Sequence, residues 1–195
     1  NISINSGTSI GIIGKSGSGK STLIDILMGL HQIKKNTLYY NKIDISDHLN
    51  SWRSIIGYVP QQIYITDDSI KNNIAFGEDE HLIDKEKILN ILKKVDLLEY
   101  VNHLYKGIDT NIGERGAKIS GGQLQRIGIA RALYKDPKIL IFDESTSSLD
   151  INTEKEILNS IYNLIGEKTL ILVSHRLETL KRCDTVLDLE EINTK

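Results

Sequence analysis

The sequence has little net charge, a single cysteine and no long apolar run. Its 24 Lys and Arg residues nearly balance 26 Asp and Glu residues, leaving a formal net charge of −2, which favours neither a nucleic-acid binder nor a basic membrane-surface protein. Cys183 has no partner for an internal disulfide, as is usual in a reducing cytoplasm. No apolar run approaches the roughly 20 residues of a membrane-spanning helix, and no signal peptide is recognisable at the start. If the protein works at a membrane, another segment or chain must supply the spanning part.

Short apolar runs alternate with helical patterns along the 195 residues, a length that suffices for one domain with a sizeable core. Strands are predicted at residues 10–13, 55–60, 138–142, 169–173 and 184–189. The runs at 138–142 and 169–173 are continuously apolar, as expected of strands buried on both faces. The alternation predicts an α/β fold with a mostly parallel sheet that helices cover on both sides.

Other segments add to this pattern. A polar, tyrosine-bearing stretch at residues 37–45 predicts edge strands, which would form a small antiparallel part. Apolar residues at helical spacing predict one helix over residues 84–104 and a second one that carries Leu124. These helices would form a small inserted lobe. A further helix is predicted to follow Thr153 and Glu156, which have the spacing of a capping box.

Residues 14–21 match the phosphate-loop pattern G-x-x-x-x-G-K-[ST], between a predicted strand and a predicted helix as that motif requires. Glycines let backbone N–H groups turn inward around a phosphate, and the following helix adds its partially positive end. Lys20 would place a cation on the terminal phosphates, and the Ser21 hydroxyl would ligate Mg²⁺. A flexible glycine-rich loop is the alternative, which these flanks disfavour. The predicted nucleotide-binding residues are Gly14, Lys15, Ser16, Gly17, Ser18, Gly19, Lys20, Ser21 and Thr22.

The apolar strand at 138–142 leads directly into Asp143 and Glu144. Ligands of open parallel sheets bind at the carboxyl ends of the strands, so Asp143 can hold the coordination shell of Mg²⁺ and Glu144 can polarise an attacking water. A strand that merely ends in an acidic turn would be the simpler interpretation of this segment alone. Together with the phosphate loop, the segment predicts a nucleoside triphosphatase.

Residues 119–126, ISGGQLQR, place two glycines at a predicted helix start after Ser120. Such a helix end can bind an anion, so one domain would carry two phosphate-facing helix ends for one nucleotide. A dimer resolves this, because in a two-fold pairing each second site closes over the partner's phosphate loop. A helix C-cap or a hinge is the alternative for a bare Gly-Gly pair.

With these motifs the chain resembles the ATP-binding-cassette (ABC) family over essentially its whole length. GKSGSGKST is similar to the family's Walker A loop, ISGGQ to its LSGGQ signature and ILIFDE to its Walker B strand. The resemblance implies a P-loop NTPase (RecA-like) fold, hydrolysis of ATP, and ATP and Mg²⁺ as cofactors. The catalytic residues that it implies are Glu144, His175, Gln61 and Lys20. The magnesium ligands that it implies are Ser21, Gln61 and Asp143.

The remaining motifs follow the order of the family. Gln61, after Tyr58-Val59-Pro60, matches a glutamine that reaches the metal and the attacking water, and the adjacent Gln62 stays open as the alternative. His175 in LVSHRL matches the switch histidine, which contacts the γ-phosphate. By the same resemblance, the signature acts on the partner subunit's ATP, and the D-loop links the two sites across the dimer. The signature residues are Ser120, Gly121, Gly122 and Gln123, and the D-loop residues are Ser147, Ser148, Leu149 and Asp150.

Some features depart from the family pattern. Ile119 replaces the usual leucine of the signature. Family members carry an adenine-stacking aromatic farther upstream than the residues before Lys20, so we expect an N-terminally truncated domain without this platform. Tyr39 or Tyr40 is the alternative platform. The other histidines match no motif and are expected at the surface or in packing: His31, His48, His81 and His103.

Two stretches indicate a branch of the family. Residues 110–116, TNIGERG, resemble the X-loop of ABC exporters with Glu114 at its acidic position, and residues 67–77 resemble the exporter segment after Gln61. A plain solvated loop would be an equally good interpretation of either stretch alone. Together the two stretches favour an exporter or flippase over an importer. The implied partners are a second copy of the domain, head to tail, and transmembrane domains in the same or a partner chain, contacted near Gln61 and Glu114. The implied location is the cytoplasmic face of a bacterial inner membrane, and no nucleic acid is expected.

The principal hypothesis is a motor that binds and hydrolyses ATP to power export or the flipping of a lipid-linked substrate. A soluble ABC-class ATPase acting on DNA or ribosomes is the alternative, disfavoured because neither a long coiled coil nor a second cassette is present. A catalytically dead regulatory cassette is disfavoured by Lys20, Asp143, Glu144 and His175. The expected organisation is one domain over 1–195, with a catalytic core of about 1–76 and 135–195 and a helical lobe of about 77–134.

Overall fold

A sheet of five parallel strands is central to the computed structural model, which describes residues 2–113, 116–147 and 149–193. The strands are β1 Ser9–Ile13, β2 Tyr39–Tyr40, β3 Ile43–Asp44, β4 Ile56–Val59, β5 Ile139–Asp143, β6 Thr169–Val173 and β7 Thr185–Asp188. The sheet has the order β4-β5-β6-β1-β7, and every neighbouring pair in it is parallel. β2 and β3 form a separate antiparallel pair. The predicted α/β fold with a small antiparallel part is therefore confirmed.

Helices connect the strands and flank the sheet. They are α1 Lys20–Leu27, α2 Leu49–Ser54, α3 Ile70–Ile74, α4 Lys85–Lys94, α5 Leu98–His103, α6 Gly121–Tyr134, α7 Ile151–Tyr162, α8 Leu177–Leu180 and α9 Leu189–Asn193. Helices α3 to α6 lie between β4 and β5 in the chain, and together they form the inserted helical part. Within the described ranges, no helix has both the length and the apolar character needed to cross a membrane.

The sheet is buried on both faces because successive side chains of its central strands enter two different apolar clusters. In β5, Ile139 and Ile141 pack in one cluster with α1, while Leu140 and Phe142 pack in the other with the inserted helices and α7. The continuously apolar sequence of this strand is explained by that arrangement, since neither face meets water.

The prediction of one continuous helix over residues 84–104 is wrong. Two helices, α4 and α5, occupy this range, because Asp96 between them has a left-handed backbone with φ of 53°. The apolar spacing continues across the break, since Val95 and Leu97 are both buried beside it. The spacing of apolar residues carries no information on the sign of φ, so it could not reveal the break.

Two other boundaries differ from the sequence-based expectation. Helix α7 begins at Ile151 and is capped by Asp150, whose carboxylate accepts from the N–H groups of Asn152 and Thr153. The predicted capping box at Thr153 is therefore wrong.

The short helices α3, α8 and α9 were not predicted, and neither was helix α2. It is fixed by burial of Trp52, whose indole N–H donates to the carbonyl of Leu27 over 2.6 Å.

Candidate functional site

The phosphate loop connects β1 to α1 and contains two glycines in left-handed conformations. Gly17 has φ of 82° and Gly19 has φ of 97°, values that residues with a side chain rarely adopt. Gly19 is also the N-cap of α1, and as a glycine it has no side chain with which to cap this helix. The N–H groups of its first turn are thus not used by a side-chain cap, which is the arrangement that binds phosphate at helix ends.

Lys20 folds back across the loop. Its Nζ donates to the carbonyl oxygens of Gly14 at 2.7 Å and Lys15 at 2.9 Å, so the cation is held at the loop rather than in bulk solvent. Lys15 itself is turned elsewhere: its backbone N–H donates to the Glu190 carboxylate at 2.9 Å, and its Nζ lies 3.1 Å from the same group.

A cleft of about 490 Å³ brings the predicted site residues together from four separate segments. Its volume lies within the usual range for small-molecule sites. The lining residues are Ser16, Gly17, Gly19, Lys20, Ser21, Thr22, Gln61, Asp143, Glu144 and His175. Of the predicted nucleotide-binding residues, Gly14, Lys15 and Ser18 do not line it.

Strand pairing explains why these segments meet. β6 lies between β5 and β1, and Val173 is paired with both Asp143 and Ile12. The carboxyl ends of the three strands therefore reach the same edge of the sheet, where ligands of open α/β sheets bind. The backbone N–H of Glu144 extends this pairing by donating to the Val173 carbonyl at 2.9 Å.

Glu144, His175 and Gln61 form a polar group in the cleft. The Glu144 carboxylate Oε2 lies 3.5 Å from His175 Nδ1 and 3.5 Å from Gln61 Nε2, which also donates to Ser147 Oγ at 3.3 Å. Glu144 has φ of 46°, a left-handed conformation uncommon for a residue with a side chain. Such strained backbone concentrates at functional sites, where surrounding structure holds it in place.

Asp143 ends β5 and accepts a hydrogen bond at Oδ2 from the Tyr58 hydroxyl, 3.1 Å away. Burial raises the pKa of the Asp143 carboxyl, and the nearby Glu144 raises it further. Burial and the adjacent Asp143 raise the pKa of Tyr58 to about 12. Tyr58 therefore remains a protonated donor at neutral pH. Sequence reasoning missed this contact, because it depends on the pairing of β4 with β5.

The oxygen donors of the cleft fit Mg²⁺. Ser21 offers a hydroxyl, Asp143 a carboxylate and Gln61 an amide oxygen, all hard ligands of the kind that magnesium prefers. The described part of the chain contains no cluster of three or more His, Cys, Asp or Glu residues suited to a metal. Mg²⁺ does not require one, because it usually takes one or two carboxylates and fills its shell with water and substrate phosphates.

The signature residues lie at the start of α6 and do not line the cleft. Ser120 and Gln123 form a capping box: Ser120 Oγ accepts from the Gln123 N–H at 3.2 Å, and the Ser120 N–H donates to Gln123 Oε1 at 2.8 Å. A Cβ at Gly122 would stand 2.6 Å from Thr153 Cγ2. In the D-loop, Leu149 lies beside Gly121, and Asp150 caps α7.

Glu154 connects several of these segments and was also missed by sequence reasoning. Its carboxylate, which is mostly buried on α7, accepts from Thr146 at 2.9 Å, from Thr179 at 3.3 Å and from Arg176 Nη1 at 3.1 Å. Arg176 follows His175 in the chain and also donates to the Ser147 carbonyl at 3.2 Å. α7 is thereby tied to the turn after Glu144 and to the histidine loop.

Known proteins resemble this chain in sequence and in fold. The family model described as ABC transporter matches residues 1–147. The chain belongs to the ABC transporter family. It is 41% identical over 190 residues, 97% of its length and 32% of the relative's, to an ATP-dependent lipid A-core flippase of Coxiella burnetii. It is 37% identical over 190 residues, 97% of its length and 31% of the relative's, to an ATP-dependent lipid A-core flippase of Francisella tularensis subsp. tularensis.

A solved structure described as a bacterial Atm1-family ABC exporter with ATP bound superimposes on this ABC transporter chain with a TM-score of 0.82 and 36% identity. The match covers 95% of this chain and 32% of that one. The resemblance to ABC exporter and flippase nucleotide-binding domains is thus confirmed. The chain spans about a third of the length of the relatives that it matches.

Two of the predicted residues, Glu114 and Ser148, lie outside the described residues. Tyr39 and Tyr40 do not line the cleft; the Tyr39 hydroxyl donates to Asn36, and the Tyr40 ring packs on Trp52 at a centroid distance of 5.6 Å.

The unassigned histidines and the cysteine also lie away from the cleft. His31, His48, His81 and His103 are all exposed. Cys183 is half-buried against Tyr162, and burial raises the pKa of its thiol.

Proposed function

We propose that this ABC transporter chain is a motor domain that binds and hydrolyses ATP to power export or the flipping of a lipid-linked substrate. The observation that carries the proposal is the single cleft that gathers Lys20, Ser21, Asp143, Glu144 and His175 at the carboxyl edge of the sheet. The names of its relatives, which include flippases and an exporter, favour this branch over an ATPase acting on DNA or ribosomes.

Nucleotide binding is assigned to the phosphate loop. The uncapped start of α1 would surround the phosphates with N–H donors, and the Lys20 ammonium would exchange its carbonyl contacts for phosphate oxygens. Ser21, Asp143 and Gln61 would hold Mg²⁺, which supplies charge neutralisation for the terminal phosphates when it is bound.

Hydrolysis is assigned to the group around Glu144. Its carboxylate would orient a water molecule and accept its proton as the oxygen bonds to the γ-phosphorus and the bond to the ADP oxygen breaks. His175 would contact the γ-phosphate, and Gln61 would help to position the water. The 3.5 Å separations from Glu144 to both residues leave them within reach of one bound molecule.

A second copy of the domain would complete the site. Ser120, Gly121, Gly122 and Gln123 do not line the cleft of their own chain, so a head-to-tail dimer would bring them over the partner's ATP. The D-loop would contact the partner beside them. We assign residues of about 1–76 and 135–195 to the catalytic core and about 77–134 to the helical lobe.

The proposal also places the domain on a membrane complex. Transmembrane domains, in the same or a partner chain, would contact it near Gln61 and Glu114. Its location would be the cytoplasmic face of a bacterial inner membrane, with ATP and Mg²⁺ supplied from that side.

The Glu144→Gln variant tests the proposal. Gln keeps the shape but cannot accept the proton, so we expect ATP turnover to fall about 10²- to 10⁴-fold while MgATP binding is retained and an ATP-bound dimer accumulates. ATPase rate and sedimentation would be measured together. Glu99→Gln, on an exposed surface of α5, is the matched control and should leave both unchanged. Normal turnover in Glu144→Gln would remove Glu144 from the catalytic role.

A further inference from the structure

A tyrosine hydroxyl to which the sequence analysis assigns no role contacts the carboxylate that is assigned to Mg²⁺. Tyr58 on β4 donates to Asp143 Oδ2 at 3.1 Å across 85 residues of sequence. We propose that Tyr58 is a positioning residue that sets the orientation of the Asp143 carboxylate for Mg²⁺. The inference rests on the proposed nucleotide site and adds a residue to it.

The orientation of Asp143 needs such a constraint. An aspartate carboxylate rotates readily about its terminal torsion, whose energy wells are broad. Asp143 is the last residue of β5 and is only half-buried, so packing from one side leaves this rotation open. A hydrogen bond to Oδ2 determines where Oδ1 points. Ligating carboxylates are in turn hydrogen-bonded, and such outer partners hold the ligand in place.

The hydroxyl is itself carried on a rigid element. β4 is paired in parallel with β5, with Tyr58 opposite Ile141 and Val59 opposite Phe142. The preceding Gly57 packs so closely that a Cβ there would lie 2.8 Å from Leu140. The Tyr58 ring is half-buried against the apolar cluster beneath β5. Strand pairing and ring packing therefore place the donor accurately, as a positioning group requires.

A purely structural role makes a different prediction. If the hydroxyl only satisfied a half-buried carboxylate, its removal would lower stability and leave the magnesium dependence of nucleotide binding unchanged. If it orients the carboxylate, removal would weaken Mg²⁺ specifically. The magnesium dependence therefore distinguishes the two roles.

The experiment measures ADP binding by calorimetry over a series of Mg²⁺ concentrations and in EDTA, so that no turnover intervenes. Tyr58→Phe keeps the ring and removes the hydroxyl. In this variant we expect the midpoint, the Mg²⁺ concentration that gives half of the Mg²⁺-dependent change in ADP affinity, to rise about 10-fold. The ADP affinity in EDTA should stay within about twofold of wild type. Tyr134→Phe is the control. It also removes a hydroxyl that makes a hydrogen bond, in this case accepting from the Asp84 N–H at 3.0 Å, and it should shift neither quantity.

A double-mutant cycle completes the test. In an Asp143→Ala background the carboxylate is gone, so adding Tyr58→Phe should change the Mg²⁺ dependence no further. An unchanged midpoint in the single variant, or an additional shift in the Asp143→Ala background, would overturn the inference. A lowered melting temperature with a wild-type midpoint would do the same. If the ADP affinity of the wild-type protein did not depend on Mg²⁺, the proposed metal site would be refuted, and this inference with it.

Discussion

Two helices of this chain begin with glycines, and the two helix starts use glycine for different physical reasons. At the start of α1, Gly19 has a left-handed backbone, and a Cβ built there would meet no atom within 4 Å. At the start of α6, a Cβ on Gly122 would lie 2.6 Å from Thr153 Cγ2. Glycine serves backbone conformation in the first case and the close approach of α7 in the second.

The N-terminal caps of the two helices also differ. The N-cap residue of α1, Gly19, has no side chain to cap the helix, whereas the Ser120–Gln123 capping box satisfies donors at the start of α6. The sequence-based interpretation treated both as equivalent anion-binding ends. In the structure only the α6 end has a side-chain cap from its own N-cap residue, so the two ends are not equivalent.

The largest expected difference between the two helix starts is the effect of a nearby lysine, Lys20 or Lys118, on ATP affinity. Lys20→Ala removes a cation held at the loop by two carbonyl contacts, and hydrogen bonds to charged groups contribute about 1.5–3 kcal/mol each. At 1.4 kcal/mol per tenfold, ATP affinity should fall about 10- to 150-fold with the fold intact. Lys118→Ala, an exposed lysine just before the signature, should not change the affinity of an isolated subunit. Calorimetric titration with ATP and circular dichroism measure both. Unchanged affinity in Lys20→Ala would show that backbone amides alone hold the phosphates.

The packing role of glycine in α6 is tested by Gly122→Ala. The added methyl group would collide with Thr153, and overpacking of this kind costs about 1–3 kcal/mol. Urea unfolding should show that loss. Thr153→Ser removes the colliding Cγ2 and keeps the hydroxyl, so combining it with Gly122→Ala should restore most of the stability. A double variant no more stable than Gly122→Ala would exclude packing as the reason for this glycine.

The conformational role of glycine in α1 is tested by Gly19→Ala. No neighbour obstructs the new methyl group, so the cost is the left-handed backbone, about 1–2 kcal/mol. Gly19→Asn should lose less, because asparagine tolerates this conformation better. Unfolding free energies from urea titration compare the three proteins. Equal losses for Ala and Asn would argue against backbone conformation as the cause.

Sequence patterns predicted the buried strands well. The expected runs at 138–142 and 169–173 agree with β5 and β6 to within a residue, because strands buried on both faces need an uninterrupted apolar sequence. The break between α4 and α5 was missed, since Asp96 changes the sign of φ without interrupting the apolar spacing. α2 was missed because six residues are too few for a periodic signal.

In the candidate site, too, some residues were predicted from local sequence patterns and others depend on tertiary contacts. Gly17, Gly19, Lys20 and Ser21 were all predicted to belong to one site, because a phosphate loop is a local pattern of fixed spacing. Glu154 was not, although it joins the turn after Glu144 to the histidine loop. Its role depends on three segments that meet only when α7 packs on the sheet.

What the sequence alone determined is therefore the strands of the central sheet, the longer helices, the membership of the family and the motif residues, since each depends on neighbours a few positions apart. Only the tertiary structure decided that Tyr58 meets Asp143, that Glu154 meets Arg176 and that Gly122 meets Thr153. These contacts join residues that are 22 to 85 positions apart in the sequence. Strand register and helix packing decide such contacts, and both follow from burying the whole apolar surface at once rather than from any local pattern.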